Sequence, residues 1–194
     1  GFGVTIESDS AIIFFIEEPS MEKVLNNIIP NIIGNNTFKI INFNGKQALI
    51  KNLDNRLKGY KAWIPENHYL FVLVDRDNDD CKELKNKLEQ IASQSDMKTK
   101  TSSQGQKDYQ VINRIVVEEL ESWFFGDIEA LHQAYPKISK NIIRKAKYRD
   151  PDNIMGGTAE SLFKLLKRKG YYSNLPVLPK LKVADEISKF MEPK

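Results

Sequence analysis

Long apolar runs are missing from this sequence, and so are the residues that build covalent or thiolate-based architecture. The longest apolar stretch, Ala11 to Ile16 (AIIFFI), is strand-sized, so no membrane span is expected. No basic segment leads into an apolar one as in a secretory leader, and a cytoplasmic location is expected. The single cysteine, Cys81, can form no internal disulfide and is too little for a cysteine zinc site. Asp79 and Asp80 just before it should keep the thiol protonated, which argues against a nucleophile. The two histidines, His68 and His132, are far apart and lack an HExxH-like spacing, so both are read as structural. No Ser-His-Asp set, P-loop or GxGxxG pattern offers another chemistry.

The chain has 194 residues, 41% of them hydrophobic, enough for one substantial core with an appended subdomain and too apolar for a disordered chain. A formal charge of +3 conceals an asymmetry. Up to Asp127 there are 15 basic and 19 acidic residues, a balance of −4; after it there are 14 and 7, a balance of +7. An acidic region followed by a basic one suits a metal-dependent enzyme acting on a polyanion, although charge runs commonly just face solvent.

Strand-like and helix-like runs alternate over the first two thirds. The unbroken apolar run Ala11 to Ile16 reads as a strand buried on both faces. Ser20 is a candidate N-cap for a helix from Met21 to about Ile33, closed by Gly34. Phe38 to Phe43 reads as a second strand. Lys46 to Tyr60 reads as a second helix, with Leu49, Leu53 and Leu57 on one face. Tyr69 to Val74 is the third strand and Asp80 to Ser93 the third helix; Val111 to Val117 is the fourth strand and Glu118 to Phe125 the helix after it. Between them, Gln94 to Tyr109 is polar and aperiodic and reads as a mobile loop. This βα alternation predicts an α/β fold: a mostly parallel, Rossmann-like sheet with helices on both faces. From Ile128 the pattern is helical only, at Ile128 to Tyr135, Ile138 to Tyr148, Ala159 to Lys169 and Val183 to Met191. The expected division is thus an α/β core over 11–127 and a helical appendage over 128–194 packed on it.

Three of the four strands end in acids: Glu17 and Glu18, then Asp75 and Asp77, then Glu118 and Glu119. Ligands of open parallel sheets bind beyond the carboxyl ends of the strands. Carboxylates crowded there repel one another unless cations hold them together. If strand geometry continues through Asp75 and Asp77, the two point the same way, about 7 Å apart. Oxygen-only ligation of this kind suits Mg²⁺ or Mn²⁺. Lys46, Arg56, Lys58 and Lys61 flank the second helix and could meet phosphates. Arg76, inside the acidic motif, either contacts a phosphate or neutralises its neighbours. Two further basic clusters follow, Arg144, Lys145, Lys147 and Arg149, then Lys164, Lys167, Arg168 and Lys169. Tyr148, Tyr171 and Tyr172 beside them could stack on bases, though core packing is the commoner fate.

The strings IIFFIEEPSMEKVL and FVLVDRDNDD resemble the Toprim pattern of topoisomerases, primases and overcoming-lysogenization-defect nucleases. More closely, IEEPSMEKVL, RLKGYKAWIPE, LVDRDNDDCKELK, NRIVVEELESWFFGD and RDPDNIMGG resemble a bacterial domain-of-unknown-function family of DUF 4276 type with a Toprim-like core. The resemblance implies that Glu17 is the Toprim glutamate and Asp75 and Asp77 its Asp-x-Asp pair. Glu22 falls on the family's acidic position in the next helix. Toprim motifs usually carry Gly after the glutamate, whereas this chain has Glu18, which leaves open which of the two faces a metal. Glu118 and Glu121 lie at i, i+3 in the family's most distinctive string. They either border a second metal or complement a helix N-terminus while Trp123, Phe124 and Phe125 fill the core.

The resemblance also implies an activity: Mg²⁺- or Mn²⁺-dependent cleavage of nucleic-acid phosphodiesters, DNA before RNA, with Glu17 or a metal hydroxide as general base. A bacterial defence or DNA-processing setting with a separate ABC- or AAA-type ATPase is implied too. A homodimer is compatible with all of this, and the nucleic-acid contacts expected are Lys46, Arg76, Arg144, Lys145, Lys147 and Arg149. The alternatives are a non-catalytic Toprim-fold subunit that binds a partner of an ATPase complex, and a nucleotidyl-transfer enzyme using the same metal site.

Overall fold

The computed structural model describes residues 10–34, 36–116, 120–145, 148–149 and 157–192. Within it the apolar runs become strands β1 (Ala11–Ile16), β2 (Thr37–Asn42), β3 (His68–Asp75) and β4 (Val111–Val116). They form one all-parallel sheet in the order β2-β1-β3-β4. β1 and β3, the interior strands, are buried along nearly their whole length, while edge strand β2 is only partly covered. That is why the first two read as continuous apolar runs and β2 as a mixed one.

Between the strands lie α1 (Pro19–Ile33), α2 (Lys46–Lys61) and α3 (Cys81–Gln94). Leu49, Leu53, Leu57 and Tyr60 of α2 and Leu84, Leu88 and Ala92 of α3 pack on one sheet face, against Ile13, Phe15, Leu70, Val72, Val74 and Val111. Each fully buried leucine there contributes about 1.5–3 kcal/mol. The alternate residues Ile12, Phe14, Ile16, Phe71 and Leu73 point to the other face and are buried as well, with the Phe14 and Phe71 rings 5.3 Å apart. The sheet is therefore covered on both sides, the Rossmann-like arrangement that βα alternation dictates.

Two local readings need correction, and the loop reading of Gln94 to Tyr109 holds. α1 begins at Pro19, with Glu18 in the extended N-cap position, so Ser20 does not cap it; proline favours the first helical position because its missing N–H has no partner there anyway. The helix expected over Ile138 to Tyr148 is only a 3₁₀ turn at Lys140–Arg144 among the described residues. Ser139 caps that turn by accepting from the Asn141 N–H, and Lys145 returns to an extended backbone that ends it. The aperiodic segment Gln94 to Tyr109 carries hydrogen-bonded turns: Thr99 bridges to Val111 at the start of β4, its hydroxyl donates to Glu89, and Ser102 closes the turn on it. Turns joined by backbone and side-chain hydrogen bonds, rather than an apolar face, hold that segment, which is why the sequence reads as loop.

Two compact units result, Gly1–Glu22 with Ile33–Val116, and Lys23–Ile32 with Val117–Lys194. The second holds α4 (Leu120–Gly126), α5 (Ile128–Ala134), α6 (Thr158–Arg168) and α7 (Lys180–Ser188). Its buried residues include Leu120, Phe124, Phe125, Leu131, Leu162, Leu166, Val183 and Ile187. Asn27, from the part of α1 in this unit, donates to Ser188 Oγ at 2.8 Å and Asp185 Oδ1 at 3.2 Å. Tyr135 anchors an aromatic set, its hydroxyl 2.9 Å from that of Tyr172 and its ring 4.9 Å from that of Tyr171. No helix among the described residues is long and apolar enough to cross a membrane.

Candidate functional site

In the strand order β2-β1-β3-β4 the chain leaves β1 to one side and returns to the other for β3. The topological switch point therefore lies between β1 and β3, where a crevice opens beyond the carboxyl ends of a parallel sheet. Glu17 follows β1 directly, and Asp75 is the last residue of β3. The parallel register aligns Phe15 with Val72, which sets Glu17 level with the end of β3. Of the two adjacent glutamates, it is Glu17 whose carboxylate accepts the backbone N–H of Asp75.

Burial shapes the chemistry of this pair. Desolvation pushes the Glu17 carboxyl up to about 7; Lys46 opposes the rise, Asp77 and Glu18 add to it, and the Asp75 N–H opposes it. Glu17 Oε2 is buried and accepts no hydrogen bond among the described residues. Asp75 is only 6% exposed. An acid with a raised pKa and an oxygen left without a donor is costly, and sites of this kind concentrate where a ligand supplies the missing interaction.

Asp77 departs from the geometry its spacing suggests. Its φ is 50°, the left-handed region that aspartate tolerates better than most residues. The strand thus ends at Asp75, and the alternation that would align Asp77 with it is broken. Arg76 N–H donates to the Val116 carbonyl at 2.8 Å, and Asp79 N–H to the Arg76 carbonyl at 2.9 Å, tying the turn to β4. Asp80 then caps α3 by accepting from the N–H groups of Lys82 at 2.8 Å and Glu83 at 2.9 Å.

Opposite this turn stands Lys46, the first residue of α2. The chain reaches it through Asn44 and Gly45, at φ 55° and 142°, a reversal that glycine makes without steric cost. Its ammonium donates to Asp77 Oδ2 and Asp79 Oδ2, both at 2.8 Å, and more weakly to the Arg76 carbonyl at 3.4 Å. Burial by itself would lower its pKa, but the bonds to Asp77 and Asp79 outweigh that and hold it above the ordinary lysine value. A cavity of about 200 Å³ lined by Lys46, Gln47, Asp79 and Asp80, among others, adjoins the pair. Sequence reasoning does not single out Asp79 as the second anchor of Lys46. Only the adjacency of β2, β1 and β3 brings α2's start against the turn after β3.

Oxygen-only donors, one of them a buried carboxylate oxygen without a donor, fit a hard divalent cation in kind. In number they fall short: among the described residues no three His, Cys, Asp or Glu side chains gather closely enough to hold one ion. Asp77 is engaged by Lys46 instead.

The remaining sequence candidates distribute as follows. Glu22, in the first turn of α1, accepts from Asn42 Nδ2 at 3.3 Å. Lys58 pairs with Asp54 and Lys61 with Asp96, while Arg56 lies over the Phe43 ring. Glu118, Glu119 and Lys147 lie outside the described residues. Glu121, in α4 of the second unit, is buried with Lys180 Nζ 3.9 Å away. Arg144 and Lys145 are exposed, and Arg149 Nη2 donates to the Arg144 carbonyl at 3.3 Å. Tyr148 is buried and stacked on Phe125 at 5.3 Å, so its ring is not offered to a base. His132 Nδ1 lies 2.6 Å from the Ile138 carbonyl and His68 Nδ1 3.0 Å from Asn67 Oδ1.

A larger cavity, about 710 Å³, opens elsewhere in the first unit, at the amino end of β4, and is lined by Lys61, Glu89, Lys98, Thr99, Asp108 and others. Its charged groups largely satisfy one another, Lys98 on Asp108, Lys61 on Asp96 and Glu89 on Lys85, with the Thr99 hydroxyl donating to Glu89 as well, so the carboxyl edge is the stronger functional candidate despite its smaller volume. No curated protein and no solved structure gives a significant match. The family model described as Domain of unknown function (DUF4276) matches residues 16–194, from the last residue of β1 onward, and the chain belongs to that family.

Proposed function

We propose that the carboxyl edge of the first unit is a Toprim-type site for divalent-cation-dependent hydrolysis of nucleic-acid phosphodiesters, with Glu17, Asp75 and Asp77 at its centre. The observation that carries this reading is the buried, donor-less Oε2 of Glu17 at the switch point of a parallel sheet, beside Asp75. The likeness of IIFFIEEPSMEKVL and FVLVDRDNDD to Toprim motifs supports it.

Glu17 and Asp75 would hold a Mg²⁺ or Mn²⁺ ion, with Asp77 completing the set once it exchanges Lys46 for the cation, and Glu18 or Glu22 as outer carboxylates. Such an ion, when bound, would lower the pKa of a water and neutralise charge on the phosphoryl group. The proton of the attacking water would go to Glu17 or to a hydroxide that such an ion would generate. Lys46 would orient the acidic turn and lend positive charge to a bound phosphate. Arg76, Arg144, Lys145, Lys147 and Arg149 would meet the phosphate backbone, DNA being the expected substrate. A separate ATPase partner in a bacterial defence or DNA-processing setting belongs to the same reading and rests on the Toprim likeness alone.

A second reading is favoured by one observation: Lys46 already neutralises Asp77 and Asp79, and no three-acid group is assembled among the described residues. In it the fold is a non-catalytic subunit that binds a partner of an ATPase complex. Incubating the chain with supercoiled plasmid and Mn²⁺ separates the two. Nicking that is lost in Asp75→Asn supports hydrolysis; intact plasmid across Mg²⁺ and Mn²⁺ concentrations, or nicking retained by Asp75→Asn, overturns it.

A further inference from the structure

We propose that the second unit carries a pocket for a phosphate group, walled by Ser139, Asn141, Lys145, Arg168 and Lys169 over an apolar floor of Ile142 and Leu165. These residues line a cavity of about 250 Å³ whose lining, among the described residues, holds three cationic side chains and no acid. Pockets for drug-sized ligands are about 300–1,000 Å³. This one suits a phosphate with its attached sugar, the charge at the cationic wall and the sugar on the floor of Ile142 and Leu165, both buried.

The competing explanation is that basic residues simply complement helix C-termini. Arg168 ends α6, Lys169 follows it, and Lys145 follows the 3₁₀ turn. The helix dipole accounts for their sign but not for their convergence from two separate elements on one concavity. Nor are they spent on acids among the described residues. Neighbouring Lys140 and Lys164 pair with Glu129 and Glu160, whereas Lys145, Arg168 and Lys169 form no ion pair among the described residues. Arg168 is also held in place: its Nη2 donates to Tyr148 Oη at 3.0 Å, and the Tyr148 ring is stacked on Phe125. Among the described residues no other bond holds the guanidinium, whose remaining donors can meet an anion. Ser139 and Asn141 add neutral donors at the rim. This pocket does not depend on the chemistry proposed for the carboxyl edge.

The test is calorimetry on the full chain at low ionic strength in a phosphate-free buffer, titrating inorganic phosphate, adenosine monophosphate and a single-stranded DNA octanucleotide without divalent cations. Phosphate and the mononucleotide should both bind and compete with each other. Lys145→Ala with Lys169→Ala should weaken them roughly tenfold or more, the scale of lost charge-assisted hydrogen bonds. Its melting temperature should be unchanged, because both side chains are exposed. Arg168→Lys, which keeps the charge and loses the fork, should weaken them less than the double variant. Displacement of the octanucleotide by the mononucleotide would make the backbone of a nucleic acid the source of the phosphate; mononucleotide binding with no octanucleotide binding would make it a free nucleotide. No binding of either small anion, or equal affinity in the double variant, overturns the proposal.

Discussion

Glu17 is held in an environment that its charged form does not favour. Burial raises its carboxyl from 4.5 to about 7, so between those values the folded chain keeps a proton that the unfolded chain has released. Unfolding then sheds protons, and stability must fall as pH rises through that window. Below about 4.5 both states are protonated and nothing is lost; above about 7 the loss is complete. Glu17→Gln keeps the shape and removes the titration. At pH 8 it should be more stable than the native chain by ~1 kcal/mol, a value reduced for the partial exposure of the group, and at pH 4 the two should be equal. Urea unfolding at both pH values measures this. A variant less stable at pH 8 would mean that the ionised carboxylate is well satisfied. If a divalent cation belongs there, millimolar Mn²⁺ should raise the melting temperature of the native chain at pH 8 and leave Glu17→Gln unmoved.

At the scale of elements, the turn between β3 and α3 must hold Asp77 in a left-handed conformation while delivering Asp80 to the helix start. The Asp80 cap fixes the helix start three residues beyond Asp77, so Asp80→Ala should cost about 1 kcal/mol, and the expected consequence for the turn is a looser Lys46–Asp77 pair. Chemical denaturation gives the first effect. A change in the Lys46 ammonium titration by NMR gives the second, and an unaltered titration would show that the turn is held without the cap. The strands are legible in the sequence because AIIFFI and YLFVLV are long enough and apolar enough to be buried on both faces. α2 is legible because Leu49, Leu53 and Leu57 repeat every turn. The convergence of Glu17 with Asp75 can be anticipated from acids at strand ends, but the role of Lys46 cannot, since strand order is not written in any local pattern. Asp77 escapes its expected alignment for a related reason: spacing by two implies one face only while the backbone remains extended. The 3₁₀ turn at Lys140–Arg144 passes for part of a longer helix because Ile138, Ile142 and Tyr148 are all apolar, and periodicity does not register the extended backbone at Lys145.

Over the whole molecule, charge is divided between an acidic first part at −4 and a basic second part at +7, and the two have separable duties under the proposed function. Asp75→Asn removes a negative charge from the carboxyl edge, so it should abolish Mn²⁺-dependent cleavage while leaving nucleic-acid affinity equal or slightly higher. Replacing Arg144, Lys145, Lys147 and Arg149 with alanine should do the reverse. Each cation that sits on a phosphate releases counterions on binding, so the logarithm of affinity should depend less steeply on the logarithm of salt, by roughly 0.7–0.9 for each phosphate no longer neutralised. The weakening should be similar for unrelated sequences, since backbone contacts read no bases. Cleavage at saturating DNA should persist, because none of the four belongs to the acidic edge. Filter binding between about 50 and 200 mM salt, where such slopes are well resolved, together with single-turnover cleavage, measures both halves. An affinity and a salt slope untouched by the quadruple change would assign these side chains to solvent or to a protein surface, and would shift the balance toward the partner-binding subunit.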